Sequence, residues 1–281
     1  MNEKGSVYQS KEYKKALVEN GEKVVDVSSS FFAVEKEIKL PAFGKKKILE
    51  ARGNPNEEDL NKIKKSDYFY ASIAPSVVNF DDDIFNSAGY GKTSNFTILI
   101  DLKKTEEELW KSLDKGSIRW CVNFAKKNGL KIEAIKEDKD IDEFYKMYEK
   151  TAKEGRFKSE PKSFIVKLIK TDIAKLFLIR KNDKILAGGM ILIDRDNNYS
   201  ILDLTSVSEE GMKLQAMPFL YWNLILYSKS VKLDYFDLGG YDCEAKEGEK
   251  TWNINKFKDR FGGEIKEQPI YSSNTRYSFL R

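Results

Sequence analysis

The sequence predicts an α+β chain of mixed, mostly antiparallel sheets flanked by helices. Three observations carry this reading. Strand-length apolar runs at 176–180, 185–193 and 199–207 follow one another across polar turns at Asn182-Asp183 and Asp196-Asn197-Asn198, the pattern of antiparallel hairpins. A helical stretch at 218–230 then separates the last of them from a further strand at 235–238, which is a crossover and not another hairpin. A stretch rich in Asp, Asn, Ser and Gly at 79–95 divides the chain, so domains are expected at 1–93 and 94–281. Hairpins joined to a single crossover helix exclude a doubly wound parallel sheet.

Each element has a local cause. Residues 10–20 have helical spacing at Tyr13, Ala16 and Leu17 and stop at Gly21. Residues 24–34 and 47–52 read as strands with a turn at 41–46 between them; 56–65 is a short polar helix, and 67–78 is strand-like up to Pro75. Residues 96–102 form a strand. Thr105 with Glu108 is a capping box in which hydroxyl and carboxylate cover orphan amides. The following helix turns Leu109, Leu113, Cys121, Val122 and Ala125 inward, is open to a break at Gly116, and ends at Gly129. Residues 140–154 place Ile141, Phe144, Tyr145 and Tyr148 on one helical face. Residues 252–261 are helical and stop at Gly262-Gly263; 265–271 and the tail beyond read as strands.

Composition narrows the chemistry. The 281 residues contain no histidine, which removes Ser-His-Asp and Cys-His nucleophilic triads, His-ligated zinc and imidazole acid–base catalysis. Two cysteines, Cys121 and Cys243, cannot build a four-cysteine metal site and read as reduced thiols of the cytoplasm. The N-terminal residues have no apolar core of a signal peptide, and no run reaches the ~18 apolar residues of a membrane span. Lys+Arg 49 against Asp+Glu 45 leaves +4, which permits an anionic partner without requiring one. Only 8 of the basic residues are Arg (52, 119, 156, 180, 195, 260, 276 and 281), so sites for two-pronged anion recognition are few.

Several patterns coincide in order and spacing. They are Val7-Tyr8-Gln9-Ser10, Ala51-Arg52-Gly53-Asn54-Pro55, Thr97-Ile98-Leu99-Ile100-Asp101-Leu102, and Glu108-Leu109-Trp110. Then come Arg119 before Ala125-Lys126-Lys127-Asn128-Gly129, Tyr235-Phe236-Asp237-Leu238-Gly239-Gly240, and Phe257-Lys258-Asp259-Arg260-Phe261-Gly262-Gly263. The combination resembles the Fem family of peptidoglycan bridge-forming aminoacyltransferases over nearly the whole chain. The resemblance implies two GCN5-related N-acetyltransferase-like domains, the first trimmed here, without the long helical hairpin that some members insert. It implies a transferase that moves an amino acid from aminoacyl-tRNA to an amine of a lipid-linked or nucleotide-linked cell-wall precursor. No metal or other cofactor is implied, and the enzyme would dock transiently on the inner membrane face.

Residues are then weighed against that implication. Phe236-Asp237-Leu238-Gly239-Gly240 reads equally as a buried strand ending in a flexible turn or as a strand end opening a cleft, where Gly239 and Gly240 admit substrate to the backbone. Asp237 could orient or deprotonate an amine, or cap the turn. Phe257 and Phe261 share a helical face and read as core; Lys258 and Arg260 point elsewhere, to solvent or to phosphate and acyl carbonyl. In Ser208-Glu209-Glu210-Gly211-Met212-Lys213 a lone glycine and two carboxylates suit a coenzyme A pyrophosphate poorly. Lys213 could stabilise a developing oxyanion. Arg156 and Arg52 are candidate substrate contacts by resemblance. Arg119 lies beside a basic stripe of Lys126, Lys127 and Lys131 that is either a solvated face or a nucleic-acid contact. Two other readings stay open: a GCN5-related acyl-CoA transferase acting on a small amine, and a binding module without chemistry.

Overall fold

A computed structural model describes residues 5–40, 44–135 and 138–274. The expected turn at 41–46 lies partly, and the end of the tail wholly, outside them. The chain divides into two compact units, Met1–Phe96 with Arg195–Asn197 and Lys266–Arg281, and Thr97–Asp194 with Asn198–Ile265. The smaller unit thus draws its residues from three parts of the sequence and not from one continuous segment.

The first unit begins with a single turn at Val7–Gln9 and helix α1 (Lys11–Glu19), whose first turn is closed by the Ser10 hydroxyl accepting from the Tyr13 N–H. Strands β1 (Lys23–Asp26), β2 (Phe32–Leu40) and β3 (Gly44–Arg52) form an antiparallel meander. The strand expected across 24–34 is therefore two. The break falls at Ser28-Ser29-Ser30, where the Ser28 hydroxyl accepts from the Ser30 and Phe31 amides and gives the backbone a turn in place of a ladder. Helix α2 (Glu57–Lys65), started by a reciprocal Asn56–Asp59 capping box, crosses over to β4 (Tyr70–Ala74), which pairs parallel with β3. The stretch expected as loop holds helix α3 (Asp82–Ser87), capped by Asp81, and β5 (Gly91–Thr93). The chain's last described strand, Ile270–Ser272, inserts between β4 and β5. There Tyr271 stacks on Phe85 with ring centroids 3.8 Å apart in the unit's core.

The second unit carries the larger sheet. After β6 (Phe96–Asp101) come α4 (Glu106–Ser112), capped by Thr105 and Glu108 as expected, a wide turn at Lys115–Arg119, α5 (Trp120–Lys127) and β7 (Lys131–Ala134). Then follow α6 (Asp138–Gly155), α7 (Lys162–Ile169), β8 (Ala174–Lys181), β9 (Lys184–Asp194) and β10 (Tyr199–Val207). Helices α8 (Glu209–Lys213) and α9 (Ala216–Ser230) lead to β11 (Tyr235–Tyr241), α10 (Lys250–Asp259) and β12 (Glu264–Glu267); the Ile270–Ser272 strand is β13. The sheet order is β12-β6-β11-β10-β9-β8-β7. Strands β7 to β10 pair antiparallel, and β10 pairs parallel with β11.

Strand β9 is buried from Ile185 to Asp194, so it is apolar on both faces and reads as one run. Gly188 and Gly189 fit within it because a Cβ at Gly188 would meet Phe144 at 2.5 Å and one at Gly189 would meet Leu220 at 3.2 Å. Helix α9 is covered by the same core. Among the described residues no helix is long and apolar enough to cross a membrane, and no group of acidic or thiol side chains could hold a metal ion.

Truncating the buried Tyr271 to Ala removes the ring that anchors β13 and should lower the unfolding free energy by about 3–5 kcal/mol in urea titration. Tyr271→Phe keeps the ring and removes a buried hydroxyl that has no partner among the described residues, so its stability should equal or exceed the wild type.

Candidate functional site

The second unit places its polar chemistry where β10 and β11 part. The two strands pair only at Tyr199↔Tyr235, Ser200↔Phe236 and Ile201↔Asp237. Both continue beyond that point, β10 to Val207 and β11 to Tyr241. A bulge between Leu202 and Leu204 turns β10 just there. Beyond Asp237 the facing edges therefore no longer form a ladder with each other, and backbone amides and carbonyls seek other partners.

Asp237 sits at the fork. It is 1 % exposed, takes a hydrogen bond from the Thr97 hydroxyl, and accepts from the Gly239 N–H at 2.7 Å. Burial pushes its carboxyl upward, while the Thr97 and Gly239 donors and the Lys258 charge act in the other direction. Gly239 adopts φ +78°, a conformation that glycine reaches without strain. A Cβ there would lie 3.5 Å from the Leu202 carbonyl and 3.7 Å from the Lys258 amine. Gly240 follows and is exposed.

Lys258 reaches this point from α10. It is 8 % exposed, and its amine donates to the carbonyls of Gly239 (2.9 Å) and Gly240 (2.7 Å). Burial drives the amine down to about 8 against the opposing pull of Asp237. Of the two directions the sequence leaves open for Lys258, solvent is thus corrected, since α10 turns Asn255 and Lys258 inward together with Phe261 beyond its end. Asn255 in turn accepts from the Asp242 N–H and donates to the Asp242 carbonyl, which holds the chain after β11. An ammonium has three donors, and two are taken by backbone carbonyls. The protonated amine has one N–H left to offer at the fork, whereas the neutral amine offers a lone pair.

The remaining candidates lie elsewhere. Lys213, at the end of α8, is exposed and acts on the carboxylates of Glu209 and Glu210. Gly211 is a packing glycine: a Cβ would meet the Leu186 carbonyl at 2.2 Å. Glu209 and Glu210 pair with Lys150 and Lys184, so the first turn of α8 is acidic and does not suit a diphosphate. Arg156 is exposed and takes φ 56° just after α6; the neighbouring Phe157 amide closes that helix end on the Ala152 carbonyl at 3.1 Å. Arg52 belongs to the first unit, at the end of β3, with its guanidinium 4.9 Å from the Tyr8 ring centroid. Arg260 caps α10 two residues after Lys258, and its carbonyl accepts from the Asp114 N–H at 2.8 Å. Asp237, Gly239, Gly240 and Lys258 are thus brought together, and Lys213, Arg156 and Arg52 are not part of that group.

Sequence reasoning did not single out Thr97 or Asn255. Thr97 was detectable as the one hydroxyl in the apolar run of β6, and it is fully buried. Asn255 was detectable as a polar residue three positions before Lys258, on the same helical face.

The model of the FemAB family matches residues 85–179. No curated protein matches the chain. Among solved structures, the chain is similar to FemX, with TM-score 0.73 and 14% identity over 97% of this chain and 94% of that one. It is similar to the C-terminal domain (DUF2156) described as that of a lysylphosphatidylglycerol synthetase from Agrobacterium fabrum, with TM-score 0.70 and 16% identity over 97% and 90%. It is also similar to L-PGS from Bacillus licheniformis, with TM-score 0.64 and 12% identity over 97% and 94%. At such identities the likeness is one of fold, and it is the fold expected from the sequence.

The Lys258 amine supplies a stability test. In the unfolded chain it titrates at its ordinary 10.5, and in the folded chain at about 8. A depressed folded value gives a contribution that is present above pH 10.5 and is lost as pH falls through 8. Relative to Lys258→Met, the wild type should gain up to about 3 kcal/mol of unfolding free energy between pH 7.5 and 10.5 in paired urea titrations. A difference that stays flat with pH would show the amine to be solvated.

Proposed function

We propose, from the match of the FemAB family model to residues 85–179, that the chain is an aminoacyltransferase, moving an amino acid from aminoacyl-tRNA to an amine of a peptidoglycan-type precursor. The observation that carries the reading is the Lys258 amine fixed by two backbone carbonyls at the parting of β10 and β11.

The reaction is aminolysis of an ester. The acceptor nitrogen attacks the ester carbonyl carbon, the new C–N bond forms, the bond from that carbon to the ribose oxygen breaks, and the ribose hydroxyl takes up a proton that the amine gives up. The ester is already activated, so alignment and exclusion of water supply most of what is needed, and histidine is dispensable. The spare N–H of the protonated Lys258 is suited to the carbonyl oxygen as it gains negative charge. Asp237 is a positioning residue in this reading: it holds the Gly239 amide and offsets the lysine's charge. The edges released after Ile201 and Asp237 offer backbone donors and acceptors to a peptide-like acceptor, in the manner of an added strand. Arg156 and Arg52 remain candidates for the acceptor's phosphates. Docking at the inner membrane face belongs to the same proposal. The acidic first turn of α8 disfavours the acyl-CoA alternative.

Incubation with charged tRNA and a cell-wall precursor bearing a free side-chain amine should add the mass of one amino acid to the precursor. Ribonuclease treatment of the tRNA beforehand should abolish the gain, and a gain supported by acyl-CoA instead would overturn the donor assignment. Lys258→Met should lower kcat roughly 10²–10³-fold with KM little changed, the signature of a group that acts on the developing oxyanion.

A further inference from the structure

Helix α10 carries Lys258 to the fork, yet most of it faces water. Asn253, Ile254 and Lys256 are exposed, Trp252 and Phe257 are half-buried, and only Asn255 and Lys258 are buried. Hydrogen bonds tie it to its surroundings near both ends. Asn255 grips the Asp242 backbone, and the Arg260 carbonyl just past the last turn accepts from the Asp114 N–H at 2.8 Å. Between those ties, apolar contacts set the rotation of the helix about its own axis. That rotation decides where the Lys258 side chain points.

The contacts converge on one ring. Tyr221, from α9, meets Phe257 edge-to-face with centroids 5.1 Å apart and planes at 79°, and meets Phe261 at 5.4 Å and 36°. Phe257 and Phe261 meet each other at 5.2 Å and 71°. Rings at such separations prefer particular mutual angles, a directionality that aliphatic contacts lack. Successive residues of an α-helix are about 100° apart, so seating Phe257 and, about a turn later, Phe261 on Tyr221 also fixes Lys258, which directly follows Phe257. Tyr221 is itself held. It is buried, and its hydroxyl is hydrogen-bonded to the Thr205 side chain of β10. Thr205 lies beyond the last residue pair of β10 and β11. The ring thus links the limb of β10 that has left β11 to the helix whose lysine holds the end of β11.

We propose that Tyr221 is a positioning residue: through Phe257 and Phe261 it seats α10 so that the Lys258 amine lies where β10 and β11 part. The inference rests on the transfer reading only in what that amine is for, and it is tested on the amine itself, without turnover. Among the described residues, the Asp237 carboxylate of β11 is the charged group that acts on this amine. Asp259, on α10 itself, accepts instead from the Tyr241 hydroxyl at 3.4 Å. Burial pushes the Tyr221 phenol up to about 12 and raises that of Tyr241 as well, so both stay neutral where Lys258 titrates.

Full-length protein is labelled with a trace of acetic anhydride, which acylates neutral amines, across the alkaline range, and incorporation at Lys258 is read by peptide mass spectrometry. Wild-type labelling should be half-maximal near pH 8. In Tyr221→Leu the midpoint should rise by at least about one pH unit, towards that of a solvated lysine. Tyr221→Phe keeps the ring and should hold the midpoint within about half a unit of the wild type. Phe257→Leu should move it as Tyr221→Leu does, and the double variant no further, as for residues that act through one contact. Leu224→Ala is the control for lost packing on the same helix, since Leu224 lies against Gly189 of β9. It should lower the unfolding midpoint in urea and leave Lys258 labelling unchanged. If Tyr221→Leu fails to fold, Phe257→Leu, at a half-buried position, carries the test. A Lys258 midpoint unmoved in Tyr221→Leu and Phe257→Leu, or moved as far by Leu224→Ala, overturns the proposal. Because no transfer is measured, failure of the transfer assay leaves this result intact, and the reverse also holds.

Discussion

One desolvated amine governs the working end of the larger sheet. Strand β11 leaves β10 after three paired residues, and the Gly239 and Gly240 carbonyls beyond that point turn to a side chain. Lys258 satisfies both. Removing an ammonium from water is costly unless hydrogen bonds and a compensating charge are supplied, and here the carbonyls and Asp237 supply them. The pieces are mutually dependent. Gly239 must take a positive φ to turn its amide onto Asp237, and that turn presents the carbonyls to the lysine. Thr97, from the neighbouring β6, secures the carboxylate.

The second constraint is electrostatic. A sheet of this topology with a glycine in the loop after β10 could hold a diphosphate at the following helix. The side chains decide otherwise: Glu209 and Glu210 stand in the first turn of α8, each paired to a lysine, and Gly211 is consumed by its contact with Leu186. One fold hosts many functions, and the acidic first turn of α8 is a poor partner for a diphosphate.

Much of this was legible in the sequence where the signal is local. The Thr105–Glu108 capping box marked the start of α4, and the apolar run at 185–193 marked a strand, β9, which is buried along its length. Short or half-exposed elements were not legible. Strand β7 has two partly buried residues of four, and β5 has three residues with none buried, so neither carries a periodic pattern. Helix α7 did leave a trace, with Phe164, Ile165 and Leu168 at helical spacing after Pro161, but it is only two turns long. The tail shows a different limit. Strands β12 and β13 are separated by two residues and enter different sheets, a choice made by distant partners that leaves no mark on the local residues. At the site the residue types were readable, but the inward turn of Lys258 was not. A lysine beside a core phenylalanine is usually solvated, and only the sheet opposite it makes burial favourable.

The two units repeat one topology that the sequence does not display as a repeat. In each, an antiparallel meander of three strands is followed by a crossover helix and a strand parallel to the third: β1-β2-β3, α2 and β4 in one, β8-β9-β10, α9 and β11 in the other. They differ at the parallel pair. Strands β3 and β4 stay in register over five residues, from Ile48↔Tyr70 to Arg52↔Ala74, and the Gly53 amide extends the ladder to the Ala74 carbonyl. Strands β10 and β11 stop after three and continue apart. A pair laddered to its end has its facing backbone groups satisfied, whereas a parted pair must find other partners for them. The same architecture therefore yields a longer parallel ladder in the first unit and a fork in the second, where Lys258 and Asp237 take the backbone groups of Gly239 and Gly240. The difference lies in how far one ladder runs, and a buried lysine stands at the place where it stops.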